Sequence, residues 1–182
     1  MLQLTIESIN KTGPDTINLQ SEHKLIRRCQ EGDISAFKEM YTIHSTMLYS
    51  IAMRLLGNKE DAEDAMQNCF TNVYRSINQF KGQSKLSTYL VKILMNCGYD
   101  ILNRRKKTVS SDEPQIYNTQ SDWSISLEEA IISLPLKMRE CFILFAIEGF
   151  RQSEISEMLD ISEGAVKAHI FQARKKLRNI LK

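Results

Sequence analysis

No apolar run in this sequence approaches the roughly 20 residues that a membrane-spanning helix requires. The opening residues, MLQLTIESINKTGPDTINLQ, lack a basic start followed by an apolar stretch, so they do not read as a signal peptide. A cytoplasmic chain without membrane insertion is the expectation. Cysteine is sparse and scattered: Cys29, Cys69, Cys97 and Cys141 form no CxxC pair, and His23, His44 and His169 do not flank them at ligand spacing. The spacing gives no support to a zinc site, and the thiols read as buried and reduced, each within an apolar-periodic stretch. A Gly-rich phosphate loop, a metal constellation and a nucleophile–base set are all missing, so neither an enzyme nor a cofactor is expected. Alternation with period two over a useful length is missing too, which argues against sheet.

What is present is helical pattern and an uneven charge. Apolar residues make up 42% of the 182, enough to build cores, and the net charge of +2 names no partner. Its distribution says more. KEDAED at 59–64 is acidic, RRKK at 104–107 is basic, and no acidic residue follows Glu163. Such polarity suits a polyanion together with a second, different partner. From Glu22 apolar residues recur at three-and-four spacing, with breaks at Gly32 and at Gly57-Asn58, through segments ending at the lysines 106–107. Residues 108–125 are rich in Ser, Asn and Asp and lose the period, which reads as a linker. Ser126 with Glu129 three residues on forms a capping box that restarts helix. The expected architecture is all-α: a flexible arm over 1–21, a helical domain over 22–107, a flexible linker over 108–125, and a second helical domain over 126–182.

The C-terminal part has the proportions of a helix-turn-helix. A short helix with Ile155, Met158 and Leu159 precedes a turn at Asp160-Ile161-Ser162, and Ser162 is placed to cap the next helix. In that helix Val166, Ile170, Ala173 and Leu177 form one apolar stripe. Phe171 falls opposite it, where a helix packed by one face has no core use for an aromatic ring. In a DNA major groove the open face would present Ala168, Phe171, Gln172 and Lys175, with Lys167 and Arg174 on one flank and His169 and Lys176 on the other. Gln can read adenine and an apolar side chain can touch a thymine methyl; the cations suit phosphates, which hold register without reading sequence.

The N-terminal part offers two further surfaces. The helix after QFKGQSKLST buries Leu90, Ile93, Leu94, Cys97 and Ile101, turns Lys92, Asn96, Tyr99 and Asn103 outward, and ends in Arg104-Arg105-Lys106-Lys107. Rings that stack on bases beside cations that follow a backbone suit single-stranded or melted nucleic acid; a plain solvent face is the competing reading. On the acidic helix Asp61, Asp64, Gln67, Asn68 and Thr71 lie off the apolar stripe. Such a face repels nucleic acid, so its fitting partner is a basic protein surface.

Four stretches carry a resemblance: IRRCQEGDISAFKEMY, LGNKEDAEDAMQNCF, FKGQSKLSTYLVKILMNCGYD, and SLPLKMRECFILFAIEGFRQSEISEMLDISEGAVKAHIFQARKKL. In order and spacing they resemble the extracytoplasmic-function (ECF) sigma factors of bacterial RNA polymerase, from about residue 22 to 180. The resemblance implies that 22–107 recognise and melt the minus-ten promoter element and that 126–182 read the minus-thirty-five element. It places polymerase docking on Asp61, Asp64, Gln67 and Phe70, with Asn68 beside them on the same face. It makes the loop Lys81-Gly82-Gln83-Ser84-Lys85 a holder of a flipped-out promoter base, and sets Asn96 and Arg104 near the promoter strand, where Lys92, Tyr99 and Arg105 also lie. Core polymerase, promoter DNA and an anti-sigma factor are the implied partners. Departures from the family pattern include Tyr89 for a usual tryptophan, Asn103 for an arginine, and Ala165, Ala168, His169 and Gln172 in the recognition helix, which imply a changed or weaker minus-thirty-five preference. Arg151 replaces the usual capping residue of the first motif helix. The alternative is a stand-alone helix-turn-helix regulator, which would dimerise and leave the acidic helix unexplained.

Overall fold

The computed structural model describes residues 19–108 and 126–181. Most of the expected arm and residues 109–125 of the expected linker lie outside the described residues. Helix α1 (Leu19–Gln30) starts before the expected Glu22. Helix α2 (Ile34–Leu56) is capped by Asp33, whose carboxylate accepts from the Ser35 and Ala36 amides at 2.8 and 3.3 Å. It stops at Gly57, whose φ of 78° is the left-handed conformation that glycine adopts without penalty. Asn58 accepts from the Asp61 amide at 2.8 Å and so opens α3 (Lys59–Ser76), which passes into a 3-10 turn (Ile77–Gln79). After the exposed loop comes α4 (Leu86–Thr108).

The sequence periodicity decides how these helices pack. Met40, Leu48, Ile51 and Leu55 of α2, Ala62, Ala65, Cys69 and Val73 of α3, and Leu90, Leu94 and Ile101 of α4 are all buried in one core. Small residues on α3 let its neighbours come close. On α4 the close approach is at Gly98, where a Cβ would sit 2.7 Å from a methyl of Leu55.

The second helical group begins with the expected capping box: Ser126 accepts from the Glu129 amide at 3.2 Å while Glu129 accepts from the Ser126 amide at 2.9 Å. This starts α5 (Leu127–Ile132), followed by α6 (Leu136–Phe142), which widens into a π turn over Ile143–Ile147 and ends at Gly149. Helices α7 (Gln152–Leu159) and α8 (Glu163–Ile180) complete it. Asp160 takes the left-handed turn position at φ 53°, and Ser162 caps α8 by accepting from the Ala165 amide. Arg151 makes no side-chain cap bond; α7 is begun by Glu154, which accepts from the Arg151 amide at 2.8 Å. Among the described residues there is no strand, no helix long and apolar enough to cross a membrane, and no cluster of three or more metal-ligating side chains. All four cysteines are buried free thiols, and burial pushes Cys29 up to about 11 and Cys69 up to about 12.

Candidate nucleic-acid and polymerase interfaces

Helix α8 buries Val166, Ile170, Ala173 and Leu177 and leaves the opposite face open. Phe171 stands 70% exposed there, beside exposed Ala168, Gln172 and Lys175. Lys167 is exposed on one flank; Arg174 on that flank lies over the Phe145 ring at 5.5 Å, an arrangement that holds its guanidinium in place. His169 is half-buried, with its Nδ1 turned inward and without a partner. The turn and cap before α8 fix its direction, so six expected contact residues share one exposed surface and His169 sits at its edge.

The second surface is α4 with the loop before it. Lys81 and Gln83 are exposed at the loop tip, Ser84 and Lys85 half-exposed at its exit, and Lys92 and Asn96 open on the next turns. Tyr99 and Arg105 differ from the expected open face. The Tyr99 hydroxyl accepts from Lys137 of α6 at 3.0 Å, and the same ammonium lies 4.9 Å from the ring centre and 3.1 Å from the buried Glu140 carboxylate. Burial pushes the Glu140 carboxyl up, with the Lys137 cation opposing that shift. Arg105 is turned back onto Asp61 as an ion pair and donates to the Leu56 carbonyl at 3.2 Å. Thus one expected strand contact and one expected docking residue, Asp61, satisfy each other, because Asp61 belongs to the first turn of α3, where its amide is also capped. Lys85 pairs with Glu154 of α7 at 3.3 Å.

On α3 the expected docking face divides in two. Gln67 and Phe70 line a groove against α2 whose other walls are Tyr41, Tyr49, Met66 and Tyr74. The Tyr41 and Phe70 rings meet at 4.8 Å, and Phe37 meets Tyr74 at 4.9 Å. Tyr41 and Tyr74 remain 50% and 58% exposed, an unusual amount of ring for solvent to cover. Sequence reasoning missed these tyrosines because each sits beside the apolar stripe of its own helix, Tyr41 on α2 and Tyr74 on α3. Asp64 is exposed on the same helix. Asn68 faces the other way, into a polar groove with Asn72, Cys97, Asp100, Asn103, Arg104 and Lys107, and therefore lies beside the basic end of α4.

Two sequence patterns match this chain in the order the surfaces occur: Sigma-70 region 2 over residues 40–108, and Sigma-70, region 4 over residues 124–177. Together they cover more than half of the chain. ECF RNA polymerase sigma factor SigM of Mycobacterium tuberculosis is 26% identical over 167 residues, covering 89% of this chain and 85% of SigM. The ECF sigma factor SigW of Bacillus subtilis is 28% identical over 179 residues, covering 87% of this chain and 96% of SigW. This chain belongs to the ECF sigma factors. A solved relative, the sigma factor RpoE in complex with the anti-sigma factor NepR from Bartonella quintana, shares the fold with a TM-score of 0.69 at 22% identity, over 81% of this chain and 98% of that one.

In this sigma factor the region 2 match begins inside α2 and ends with α4, and the region 4 match takes in α5 to α8. The two halves touch. Ser50 donates to Glu148 at 2.6 Å, Arg54 pairs with Glu128 at 2.8 Å, and Arg139 donates to the Leu55 carbonyl at 2.8 Å. Arg139 also donates to the Ile132 and Leu134 carbonyls, so one side chain ties the corner between α5 and α6 to the end of α2.

Proposed function

We propose that the chain directs core RNA polymerase to specific promoters and helps melt the minus-ten element, with residues 22–107 and 126–182 as its two working domains. The observation that carries this reading is the pairing of a helix-turn-helix presenting Phe171 and Gln172 with a separate basic–amide face on α4 behind an exposed loop. Lys167, Ala168, Phe171, Gln172, Arg174 and Lys175 meet the minus-thirty-five duplex, and His169 borders it. Lys81, Gln83, Ser84, Lys85, Lys92, Asn96 and Arg104 follow the minus-ten strand, and Tyr99 joins them once Lys137 has left it. Gln67, Phe70 and Asp64 meet the polymerase. The exposed rings of the α2–α3 groove supply apolar area, and Glu63 on its wall, with exposed Glu60 and Asp64 on the same helix, favours a basic partner helix.

Binding both elements requires the halves to part. The elements are named for centres about 25 base pairs apart, which is about 85 Å of B-form duplex. A helical unit of the size of 126–182 has a radius of gyration of only about 10 Å. Residues 109–125 span at most about 60 Å when extended, which together with the width of the two units covers the distance. Polymerase binding therefore breaks the Lys137–Tyr99 and Lys85–Glu154 contacts, both of which involve residues of the strand-facing surface. The complex of the RpoE relative with its anti-sigma factor supports a protein antagonist of the same kind for this chain, and work with polymerase favours the cytoplasm as the compartment where it acts.

Co-elution with purified core polymerase on a sizing column at moderate salt tests the proposal. A stable complex is expected. A free chain that shifts duplex DNA as a dimer would identify a stand-alone regulator instead.

A further inference from the structure

The loop at 81–85 is suspended between two points, and both are held by the same helix. At its entry, the Gln30 side-chain amide of α1 donates to two backbone carbonyls, Ile77 at 3.1 Å and Phe80 at 3.0 Å. The Ile77 carbonyl also accepts from the Phe80 amide at 3.1 Å, closing the last turn before the chain departs. At its exit, a carboxylate oxygen of Glu22 accepts from the Leu86 amide at 3.0 Å. Leu86 is the first residue of α4, where a backbone N–H has no partner inside the helix and negative charge is favoured by the helix dipole. Beneath the loop, Phe80 meets Tyr89 with ring centres 4.6 Å apart, and the Tyr89 hydroxyl shares a 2.7 Å hydrogen bond with Ser76. Ile77, Phe80, Leu86, Ser87 and Thr88 are buried, whereas Lys81, Gly82 and Gln83 are exposed. The tip therefore takes its geometry from its ends.

We propose that Gln30 and Glu22 are positioning residues that hold this loop in the shape that receives an extruded promoter base. The inference rests on the reading of 81–85 as the base-holding loop. Helix α1 lies wholly before the stretch that matches region 2, and neither side chain reaches the tip itself. Its importance grows on polymerase binding. The Lys85–Glu154 pair is then lost with the departure of the C-terminal half, and the bonds from α1 still tether both ends of the loop. Extruding a base costs unstacking energy, and a receptor that must also be ordered at that moment binds more weakly than one already formed. Loosening the clamp therefore slows strand opening without changing the affinity for polymerase.

The test uses the full chain and its holoenzyme. Gln30→Met keeps the length of the side chain and removes the donor; Glu22→Leu removes the acceptor, and Glu22→Gln keeps one. In the free protein, Gln30→Met is expected to speed exchange of the Phe80 amide, and Glu22→Leu that of the Leu86 amide, about tenfold, the scale of a lost side-chain hydrogen bond, with amides of α8 unchanged. In the holoenzyme, permanganate reactivity of the minus-ten strand should develop about tenfold more slowly for Gln30→Met and Glu22→Leu and close to normally for Glu22→Gln, with core binding intact. Gln30→Met should be less than additive with Gln83→Ala and additive with Lys175→Ala. Unchanged loop exchange and opening, or exchange raised evenly through the molecule, overturns the inference. If Gln83→Ala combined with Ser84→Ala leaves opening unchanged while polymerase still binds, the loop holds no base and the reading beneath the inference falls with it.

Discussion

Phe171→Ala separates a DNA-reading ring from a structural one. The ring is 70% exposed, and with about 150–200 Å² for a buried aromatic side chain this leaves roughly 100–140 Å² for a partner to cover. At about 25 cal/mol per Å², full coverage is worth about 3 kcal/mol. A major groove covers a ring on one side, so about half of this, roughly 1.5 kcal/mol, is the expected loss, or about tenfold in Kd. The fold should not notice, because Val166, Ile170, Ala173 and Leu177 already form the buried stripe and exposed substitutions stay within about 0.5 kcal/mol. The assay is titration of holoenzyme onto duplex carrying a minus-thirty-five element, alongside urea unfolding of the free chain. About tenfold weaker binding is predicted, largest where the element has thymine under the ring, with an unchanged unfolding midpoint. Undiminished binding refutes the orientation assigned to α8; a large stability loss shows that the ring packs internally.

Other substitutions probe the remaining surfaces. Gln172→Ala should alter the bases preferred in a selection from randomised promoters, whereas Lys175→Ala should weaken all promoters and lower the salt slope by about one. Asp64→Ala with Gln67→Ala should reduce polymerase affinity in a titration without lowering the melting temperature, since both side chains are exposed. Gly98→Ala sets a helix-propensity gain of about 1 kcal/mol against overpacking of about 1–3 kcal/mol where its Cβ would meet Leu55, so net destabilisation by urea unfolding is expected. Burial lowers the pKa of His44, whose Nε2 has no partner. The unfolded chain thus binds this proton more readily, its contribution to stability is complete above about pH 6.5 and is lost as pH falls below it, and His44→Leu should flatten that decline in urea titrations.

The local features legible in the sequence are those set by nearest neighbours along the chain. The capping box at Ser126, the turn at Asp160, the cap at Ser162 and the stops at Gly32 and Gly57 each depend on residues a few positions apart, and each was readable. Phe171 was readable for the same reason, since helical period alone puts it opposite a buried stripe. The start of α1 at Leu19 was not, because a polar first turn carries no apolar period. Asp61 was placed off the apolar stripe and Arg105 at the basic end of its helix, yet they lie 44 positions apart and meet across the α3–α4 packing. Lys137 on Tyr99, Glu154 on Lys85 and Gln30 on the Phe80 carbonyl are likewise partnerships between distant segments, and periodicity within one helix holds no information about them. Asn68 shows the finer limit: one position from Gln67 on a helix turns a side chain by about 100°, enough to move it from the aromatic groove to the basic end of α4.

Run-off transcription by core polymerase supplemented with the purified chain, on templates drawn from a randomised promoter library, decides whether this chain programs initiation. Discrete transcripts are expected that require both the chain and paired upstream and melted elements, and that disappear when either element is scrambled. No chain-dependent start sites, despite an active core enzyme, would contradict that role.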